Sequence, residues 1–435
     1  MLRKPLFLLT LALSLLQGGA ASAQKTVTLL HVSDYHSHAL PFYTDEGERG
    51  GIARAIGYLR QEKRNGALIF SGGDTINKGA PAWSDKYNCI EWPWLNGIAS
   101  AMAFGNHDAD YGLAQYRQCR EKTRYPILSA NTEGFQKYAV FEVRGARIGV
   151  FALAGPDFPQ LVKLPELKFG DPISAARETV QALREKERVD AVVMIGHETQ
   201  EADYALARAV PGIDLIFGSH SHLERELTRI PETETWFISP FQYLTSISRV
   251  ELTIADHRVT SVRGRLVAVD ASLREDRATA RRVRRLQREL ENDPQYRALF
   301  APIATLPRAM TVETLSKFAL ETMRNVTQSD VALSTMSSFR GSLASGTLTM
   351  EALRAALPYD NEIVTCTMDG EQLQRVLDHD DESYVSGVPP IDPKRTYRVA
   401  TTDYQAFVAH KDVFLCDRKQ TGLRVRDEVK KRLAN

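Results

Sequence analysis

The chain of 435 residues lacks an excess of charge of either sign. It has 55 lysine and arginine residues against 54 aspartate and glutamate residues, and its formal net charge is +1. A strongly basic or acidic balance would indicate a nucleic-acid or anionic-membrane partner. Because the balance is near neutral, we expect no nucleic-acid polymer as a partner.

Long apolar runs are scarce as well. One occurs at the start of the chain, where Arg3 and Lys4 precede the apolar residues 6–16 and small residues follow at 21–23. This pattern predicts a secretory signal peptide over residues 1–23, which is too short for a stable membrane span. We therefore expect a periplasmic or secreted protein with no membrane anchor after cleavage.

Cysteine is the third scarcity, with four residues in the whole chain. In an exported chain an even number favours disulfides, and four cysteines allow three pairings. Cys89 and Cys119 lie in the first third of the chain, whereas Cys366 and Cys416 lie in the last quarter. We expect Cys89 to pair with Cys119 and Cys366 with Cys416, and the alternative is four buried free thiols.

The length predicts two domains, because a single core rarely extends over roughly 400 residues. Residues 25–271 alternate apolar runs with helical patterns, which predicts an α/β domain. Residues 272–297, dense in arginine and glutamate, predict a solvated linker helix. The alternation resumes in residues 298–435 and predicts a second, smaller α/β domain.

Five short polar motifs, each following an apolar run, contain half of the ten histidines. Such runs predict buried strands, and ligand sites in α/β sheets lie at the carboxyl ends of the strands. The motifs are Asp34-Tyr35-His36, Gly73-Asp74, Gly105-Asn106-His107-Asp108, Gly196-His197 and Gly218-Ser219-His220-Ser221-His222.

The side chains of these motifs suit a pair of divalent metal ions. Hydrolysis of a phosphate ester needs an activated water and positive charge at the phosphoryl oxygens, and two ions roughly 3.5–4 Å apart supply both. Asp74 is the natural bridging carboxylate. The residue types suit zinc, manganese or iron without distinguishing among them. The candidate ligands are Asp34, His36, Asp74, Asn106, His197, His220 and His222.

The order of these motifs resembles that of the calcineurin-like metallophosphoesterases. Residues 29–36, 50–51 and 105–112 are similar to the 5′-nucleotidase branch, which includes periplasmic UDP-sugar hydrolases. The resemblance implies an α/β fold with a four-layer αββα metallophosphoesterase domain joined by a helix to a smaller substrate-binding domain. It also implies two metal sites that share Asp74, completed by Asp34, His36 and His222 in one site and by Asn106, His197 and His220 in the other.

The same resemblance implies further functional residues. His107 would stabilise the transition state or protonate the leaving oxygen, and Asp110 would orient His107. In the C-terminal domain the family offers arginines and two aromatic rings that hold a nucleobase. The candidates for that pocket are Arg308, Arg340, Tyr359 and Phe414. The alternative is that both rings belong to the core and both arginines are solvated.

The sequence departs from the family in the loop at residues 335–340, where an asparagine and several glycines are missing. Glycine allows the backbone to approach a ligand closely, so this change bears on the substrate. We expect an exported two-metal phosphohydrolase, and the resemblance favours a 5′-nucleotidase that hydrolyses nucleoside monophosphates. The alternatives are a UDP-sugar hydrolase, a cyclic-nucleotide phosphodiesterase, a thiosulfohydrolase-like relative in sulfur oxidation, and a non-catalytic binding protein.

Overall fold

Two six-stranded sheets form the centre of the N-terminal part of the chain in the computed structural model, which describes residues 24–79, 81–379, 383–387 and 390–434. The first sheet contains, in spatial order, β14 (Arg258–Ala268), β13 (Ser246–Ala255), β1 (Lys25–Val32), β4 (Leu68–Ser71), β5 (Ala101–Ala103) and β6 (Ile127–Leu128). The second sheet contains β11 (Arg225–Arg229), β12 (Trp236–Ser239), β10 (Leu215–Phe217), β9 (Ala191–Met194), β8 (Ala146–Phe151) and β7 (Tyr138–Val143). The signal peptide predicted over residues 1–23 lies outside the described residues.

The strands that precede the five motifs are parallel within each sheet. β1, β4 and β5 are neighbours in the first sheet, and β9 and β10 are neighbours in the second. Their carboxyl ends therefore lie at one edge of the two sheets. Between the sheets, side chains such as Leu29, Phe70, Val193 and Phe217 form a fully buried core. Each side chain of this size stabilises the fold by roughly 1.5–3 kcal/mol when it leaves water.

Helices cover the outer face of each sheet. On α1, Ile52, Ala55, Ile56 and Leu59 recur at helical spacing and face the first sheet. The helices on the first sheet are α1 (Ile52–Arg64), α2 (Ala82–Glu91) and α7 (Arg277–Glu291). Those on the second are α5 (Pro172–Gln181) and α6 (Gln200–Ala209), and α3 (Leu113–Arg120) and α4 (Phe158–Leu161) pack near the sheet ends. The expected four-layer αββα architecture is confirmed.

Helix α7 is the helix predicted between the two domains. The Asp276 carboxylate accepts a hydrogen bond from the Thr279 backbone N–H and caps the first turn. Val283, Leu286 and Leu290 are buried against the core that α1 also lines, and the arginines occupy the solvated face. The helix is therefore attached along its length to the N-terminal domain.

The C-terminal domain is a smaller α/β unit, as expected. Its five-stranded sheet contains β19 (Ser383–Ser386), β16 (Val331–Thr335), β20 (Thr396–Thr402), β18 (Glu362–Asp369) and β21 (Lys419–Arg424). Its helices are α8 (Val312–Thr327), α9 (Met350–Ala356), α10 (Gly370–Asp378) and α11 (Val425–Leu433). Two short pairs complete the strands, β2 (Pro41–Thr44) with β3 (Gly47–Gly50), and β15 (Pro302–Leu306) with β17 (Gly346–Thr349). In the described part of the chain, no helix is long and apolar enough to cross a membrane.

Polar contacts join the two domains. The Asp45 carboxylate, at the tip of the β2–β3 hairpin, accepts hydrogen bonds from the Val312 N–H at 3.2 Å and from the Ser342 hydroxyl. Elsewhere the Glu351 carboxylate accepts a bond from the Ala82 N–H at 2.6 Å. These contacts hold the C-terminal domain over the edge where the parallel strands end.

Both disulfides have the expected pairing. Cys89 at the end of α2 is bonded to Cys119 on α3, and Cys366 on β18 is bonded to Cys416. The first bond closes a separation of 30 residues that includes the Asn106 motif.

Removing the first disulfide should destabilise the N-terminal domain. We expect the double variant Cys89→Ser/Cys119→Ser to lose about 2–4 kcal/mol of unfolding free energy, because the unfolded chain regains loop entropy. All four tryptophans lie between residues 83 and 236, so tryptophan fluorescence in a urea titration reports on this domain. The matched control, Cys366→Ser/Cys416→Ser, should move this transition much less. An unchanged midpoint in the first variant would contradict the prediction.

Candidate metal centre and catalytic site

The five motifs meet at the shared carboxyl edge of the two sheets. Asp34 and His36 follow β1, Asp74 follows β4, and His222 lies in the loop after β10. All four have left-handed backbone angles, with φ between 47° and 53°. Such angles are uncommon for residues other than glycine and cluster at functional sites. The loops are therefore held in a conformation that the ordinary backbone does not favour.

Glycine is required where two of these loops cross. A Cβ atom on Gly105 would lie 2.2 Å from Asp74 Oδ1, and one on Gly73 would lie 2.7 Å from the Gly105 backbone nitrogen. Gly73 also has a φ of 95°. The motif glycines thus let the Asp74 loop lie directly against the Asn106 loop.

One group of candidate ligands surrounds Asp34. His222 Nε2 lies 3.2 Å from Asp34 Oδ1 and 3.1 Å from His36 Nε2, and His36 Nε2 lies 3.8 Å from the same carboxylate oxygen. The three ligand atoms lie within 4.8 Å of one another, as binding of a single ion requires. Two imidazole nitrogens and a buried carboxylate oxygen converging in this way form a donor set that fits a divalent ion.

A second group surrounds His197. Its Nε2 atom lies 3.2 Å from Asp74 Oδ2 and 3.1 Å from Asn106 Oδ1, while its Nδ1 atom lies 2.6 Å from the Gly72 carbonyl oxygen. A ring whose Nδ1–H donates to a carbonyl presents Nε2 as a lone-pair donor. Asp74 Oδ2 also lies 3.6 Å from His36 Nε2, so this carboxylate reaches both groups. Asp34 lies close to both as well, 3.9 Å from His197 Nε2.

His220 has a different arrangement from the other candidate ligands. Its Nε2 atom lies 2.8 Å from Asp157 Oδ2, and its ring lies 4.9 Å from that of His197, between centroids. A carboxylate that accepts from one imidazole nitrogen leaves the other as the donor to a metal. His220 would therefore use Nδ1, and Asp157 becomes a supporting residue that the sequence motifs did not reveal.

Asp34 and Asp74 are buried, and the imidazoles around them favour the charged form of each carboxyl group. Burial alone would raise the pKa of Asp34, but the neighbouring His222 and His197 hold it below its ordinary value. Burial opposes the charge of Asp74 in the same way, and His197, His107 and His36 hold its pKa well below the ordinary value. Two carboxylates and several imidazoles thus meet in a buried cluster, a donor set that a divalent cation would stabilise.

His107 and Asp110 form a hydrogen-bonded pair beside this cluster. His107 Nδ1 lies 2.8 Å from Asp110 Oδ2, and the Lys78 backbone N–H also donates to that oxygen at 2.9 Å. Since a carboxylate only accepts, Nδ1 carries the proton and Nε2 is free to act on a substrate. Burial would lower the pKa of His107, but Asp74 and Asp110 raise it above its ordinary value.

The C-terminal domain brings Arg340 and Tyr359 to the same edge. The Arg340 guanidinium lies over the Tyr359 ring, 5.1 Å from its centroid, and lines an interdomain cleft of about 650 Å³ together with His222. Arg340 and His222 line the same cleft, and both burial and the Arg340 charge lower the pKa of His222. Arg340 therefore brings a positive charge from the C-terminal domain to the candidate metal ligands.

The structure does not bring two of the sequence candidates to the site. Phe414 is fully buried in the C-terminal core, beside Leu333, Met368 and Val399. A ring enclosed by side chains has no free face for a base, so the expectation that Phe414 contacts substrate is wrong. Arg308 is exposed in the loop before α8 and is not among the residues that line the cleft.

Tyr404 is the aromatic residue that the sequence reasoning missed. It follows β20 and is 41% exposed. Burial raises the pKa of Tyr404, and the nearby Tyr359 hydroxyl raises it further, whereas Arg340 opposes that rise. Tyr404 therefore lies near Tyr359 and Arg340, beside the residues that line the cleft rather than among them. The feature of the sequence that could have identified Tyr404 is its position just after the end of strand β20.

Comparison with known proteins agrees with this geometry. Residues 27–224 match the sequence model of the calcineurin-like phosphoesterase family, and residues 302–388 match that of the 5′-nucleotidase C-terminal domain. The chain belongs to the calcineurin-like phosphoesterases, in the branch with a 5′-nucleotidase C-terminal domain. As a member of this family, it is a hydrolase of phosphoric esters.

Individual relatives cover almost the whole chain. Protein UshA of Yersinia enterocolitica is 23% identical over 492 residues, which cover 92% of this chain and 89% of that protein. A 5′-nucleotidase precursor from Thermus thermophilus has a TM-score of 0.73 at 20% identity and covers 94% of this chain and 96% of its own. The sulfate thiohydrolase SoxB from Thermus thermophilus has a TM-score of 0.75 at 19% identity, with 94% of each chain covered. At these identities the solved structures show the fold alone.

Asp74 is the carboxylate whose charge should matter most. We expect Asp74→Asn to lose at least one bound divalent ion and nearly all hydrolysis, because the amide keeps the shape but removes the charge between the two groups. The check is elemental analysis of the purified protein with a phosphatase assay. Asp256→Asn, at an exposed turn where φ is 50°, is the matched control and should keep both properties. Two ions per chain with unchanged turnover in Asp74→Asn would contradict a shared carboxylate.

His107 should affect turnover rather than metal content. We expect His107→Ala to lower kcat by roughly 10²–10⁴-fold, the usual contribution of a general acid or base. Metal content should stay near the parent value, because the imidazole is bonded to Asp110 and not to the two ligand groups. Steady-state kinetics and metal analysis of the same sample test this. Parallel loss of metal and activity would make His107 a ligand instead.

Proposed function

We propose that the chain is an exported two-metal phosphohydrolase that acts as a 5′-nucleotidase on nucleoside monophosphates. The single observation that carries this proposal is the placement of Arg340, which lies over the Tyr359 ring and next to His222. A cation beside the candidate metal ligands suits a phosphate, and the aromatic ring that contacts this cation suits a base. The named relatives, a UshA protein and a 5′-nucleotidase precursor, and the signal-peptide pattern of residues 1–23 support it.

The proposed metal ligands form two sets that share Asp74. Asp34, His36 and His222 would complete one set. His197, Asn106 and His220 would complete the other. When bound, two divalent ions would supply Lewis-acid stabilisation and an activated water.

Side chains of the protein would transfer the proton and bind the phosphate and the base. His107 Nε2 would hold or deliver a proton at the leaving oxygen, and Asp110 would keep the ring in place through Nδ1. The Arg340 guanidinium would neutralise phosphate oxygens that turn away from the metal cluster. Tyr359 and Tyr404 would pack against the two faces of the base, which replaces the expected pairing of Tyr359 with Phe414.

A sulfate thiohydrolase activity is the second candidate. Residues Met336–Ser338 form a short helical turn in which the Ser338 hydroxyl is bonded to those of Ser334, at 3.1 Å, and Thr335, at 3.0 Å. This turn has neither an asparagine amide nor a flexible glycine to contact a base. The fold similarity to the sulfate thiohydrolase, with a TM-score of 0.75, keeps this alternative open.

A substrate panel and two tyrosine variants test the proposal. With Mn²⁺ or Zn²⁺ added, AMP should have a higher kcat/KM than UDP-glucose, cyclic nucleotides or a thiosulfate adduct. Tyr359→Ala and Tyr404→Ala should each raise the KM for AMP roughly 5–150-fold, since stacking contributes about 1–3 kcal/mol per base. Hydrolysis of p-nitrophenyl phosphate should hardly change, because that substrate has no base.

The control variant is Tyr43→Ala, on strand β2 in the N-terminal domain. It removes a tyrosine of equal size and should leave both KM values at the parent level. Parental KM values for every nucleotide in the Tyr359 and Tyr404 variants would contradict base stacking. A thiosulfate adduct as the preferred substrate would replace the proposed function by the second candidate.

A further inference from the structure

Glu91, the last residue of α2, is a buried carboxyl group outside all five motifs. Its side chain is 2% exposed and lies behind the loop that carries Asp34 and His36. Nothing in its local sequence marks it, because its partners lie more than 50 residues away along the chain. Burying a carboxyl group costs free energy unless hydrogen bonds or ion pairs replace its contacts with water.

The two partners of Glu91 are the neighbours of His36. The Tyr35 hydroxyl donates to Glu91 Oε1 at 2.6 Å, and the Ser37 hydroxyl donates to Oε2. Both carboxylate oxygens are therefore used, one by each residue that flanks the candidate ligand. His36 itself points the other way, with Nε2 toward Asp34 and His222.

The loop that Glu91 holds has an unfavourable backbone. Asp34, His36 and Ser37 all have left-handed angles, with φ of 50°, 47° and 59°. Each such residue costs on the order of 1–3 kcal/mol and persists only where the surroundings fix it. On one side, the backbone N–H groups of Asp34, His36 and Ser37 donate to carbonyl oxygens of residues 73–75. On the other side, Glu91 provides the side-chain anchor.

The surroundings of the Glu91 carboxyl group are mainly apolar. The small cavity beside it is lined mainly by apolar side chains such as Ile52, Leu59, Trp94 and Leu244. Among the described residues, no lysine or arginine forms an ion pair with Glu91. Burial raises the pKa of Glu91 to about 8, although the Ser37 and Tyr35 hydroxyls oppose that rise. The hydrogen bonds to the loop are thus the interaction that the carboxyl group makes.

We propose that Glu91 is a positioning residue, which sets the orientation of the loop 34–37 and thereby the affinity of the site at Asp34, His36 and His222 for a divalent cation. The inference rests on the proposed metal-binding function but is independent of the substrate. Glu91 acts from behind the loop, through Tyr35 and Ser37.

Three variants separate this role from simple stabilisation. Glu91→Leu removes both hydrogen bonds in an apolar setting. Glu91→Gln keeps two bonds, because its amide oxygen accepts from one hydroxyl and its NH₂ group donates to the other. Tyr35→Phe/Ser37→Ala removes the same bonds from the loop side and keeps the test usable if Glu91→Leu fails to fold. The matched control is Glu62→Leu, a buried carboxylate on α1 that pairs with Arg249.

The measurements are Mn²⁺ affinity of the metal-free full chain by calorimetry, melting temperature, and kcat and KM for p-nitrophenyl phosphate at saturating Mn²⁺. We expect Glu91→Leu and the double variant to weaken one of two Mn²⁺ sites about 10-fold or more. Both should lower kcat with little change in KM. Glu91→Gln should stay near the parent, and Glu62→Leu should lower the melting temperature while leaving Mn²⁺ affinity unchanged.

The outcomes are distinguishable from failure of the proposed function. If the parent binds two Mn²⁺ ions and both disruptive variants bind them equally well, the positioning role is overturned while the metal function stands. If Glu91→Gln is as defective as Glu91→Leu, the hydrogen-bond account is overturned as well. If the parent chain binds no Mn²⁺, the proposed metal function and this inference both fail.

Discussion

The concentration of buried charge at the shared edge of the two sheets is the constraint on which the rest of the site depends. Asp34 and Asp74 are almost fully buried. The side chains that lower the pKa of these carboxyl groups are imidazoles, and not lysine or arginine. Two buried carboxylates so close together would be strongly unfavourable without a cation to compensate them. The parallel strands bring the candidate ligands together, because the carboxyl ends of such strands place residues distant in sequence at one edge of the sheet. Left-handed loop residues and motif glycines then bring the ligand atoms into range.

Helix α2 extends this constraint to the domain interface. At its first residue, the Ala82 N–H donates to the carboxylate of Glu351, which belongs to the C-terminal domain. At its last residue, Glu91 holds the loop of the first metal ligands. The disulfide from Cys89 to Cys119 fixes the same end of the helix to α3. One helix therefore contacts both the metal loop and the domain that carries Arg340, and its position matters to both halves of the site.

Most of the scaffold was predictable because its signals are local. The apolar residues Ile52, Ala55, Ile56 and Leu59 recur at helical spacing and predict α1, which the structure has over Ile52–Arg64, and the apolar run before Asp34 predicts β1. The hairpin of β7 and β8 was missed, since the partly buried β7 has no clear alternation. Glu91 and Asp157 could not be found, because a carboxyl group that supports a residue distant in sequence leaves no mark on its own neighbours in the chain.

For the second aromatic ring of the proposed pocket, the resemblance to the family indicated Phe414, whereas the structure favours Tyr404. The segment between β20 and Cys416 contains no glycine, and within it only the residue type of Phe414 indicates an aromatic contact with a base. In the structure, the disulfide of Cys416 fixes the adjacent chain against β18, and the Phe414 ring fills the core beneath it. Tyr404 lies ten residues earlier, two residues after β20 ends, and it is close to Tyr359 and Arg340. The position at a strand end, and not the residue type, therefore distinguishes Tyr404 from Phe414, and the candidate metal ligands of the other domain likewise follow strand ends.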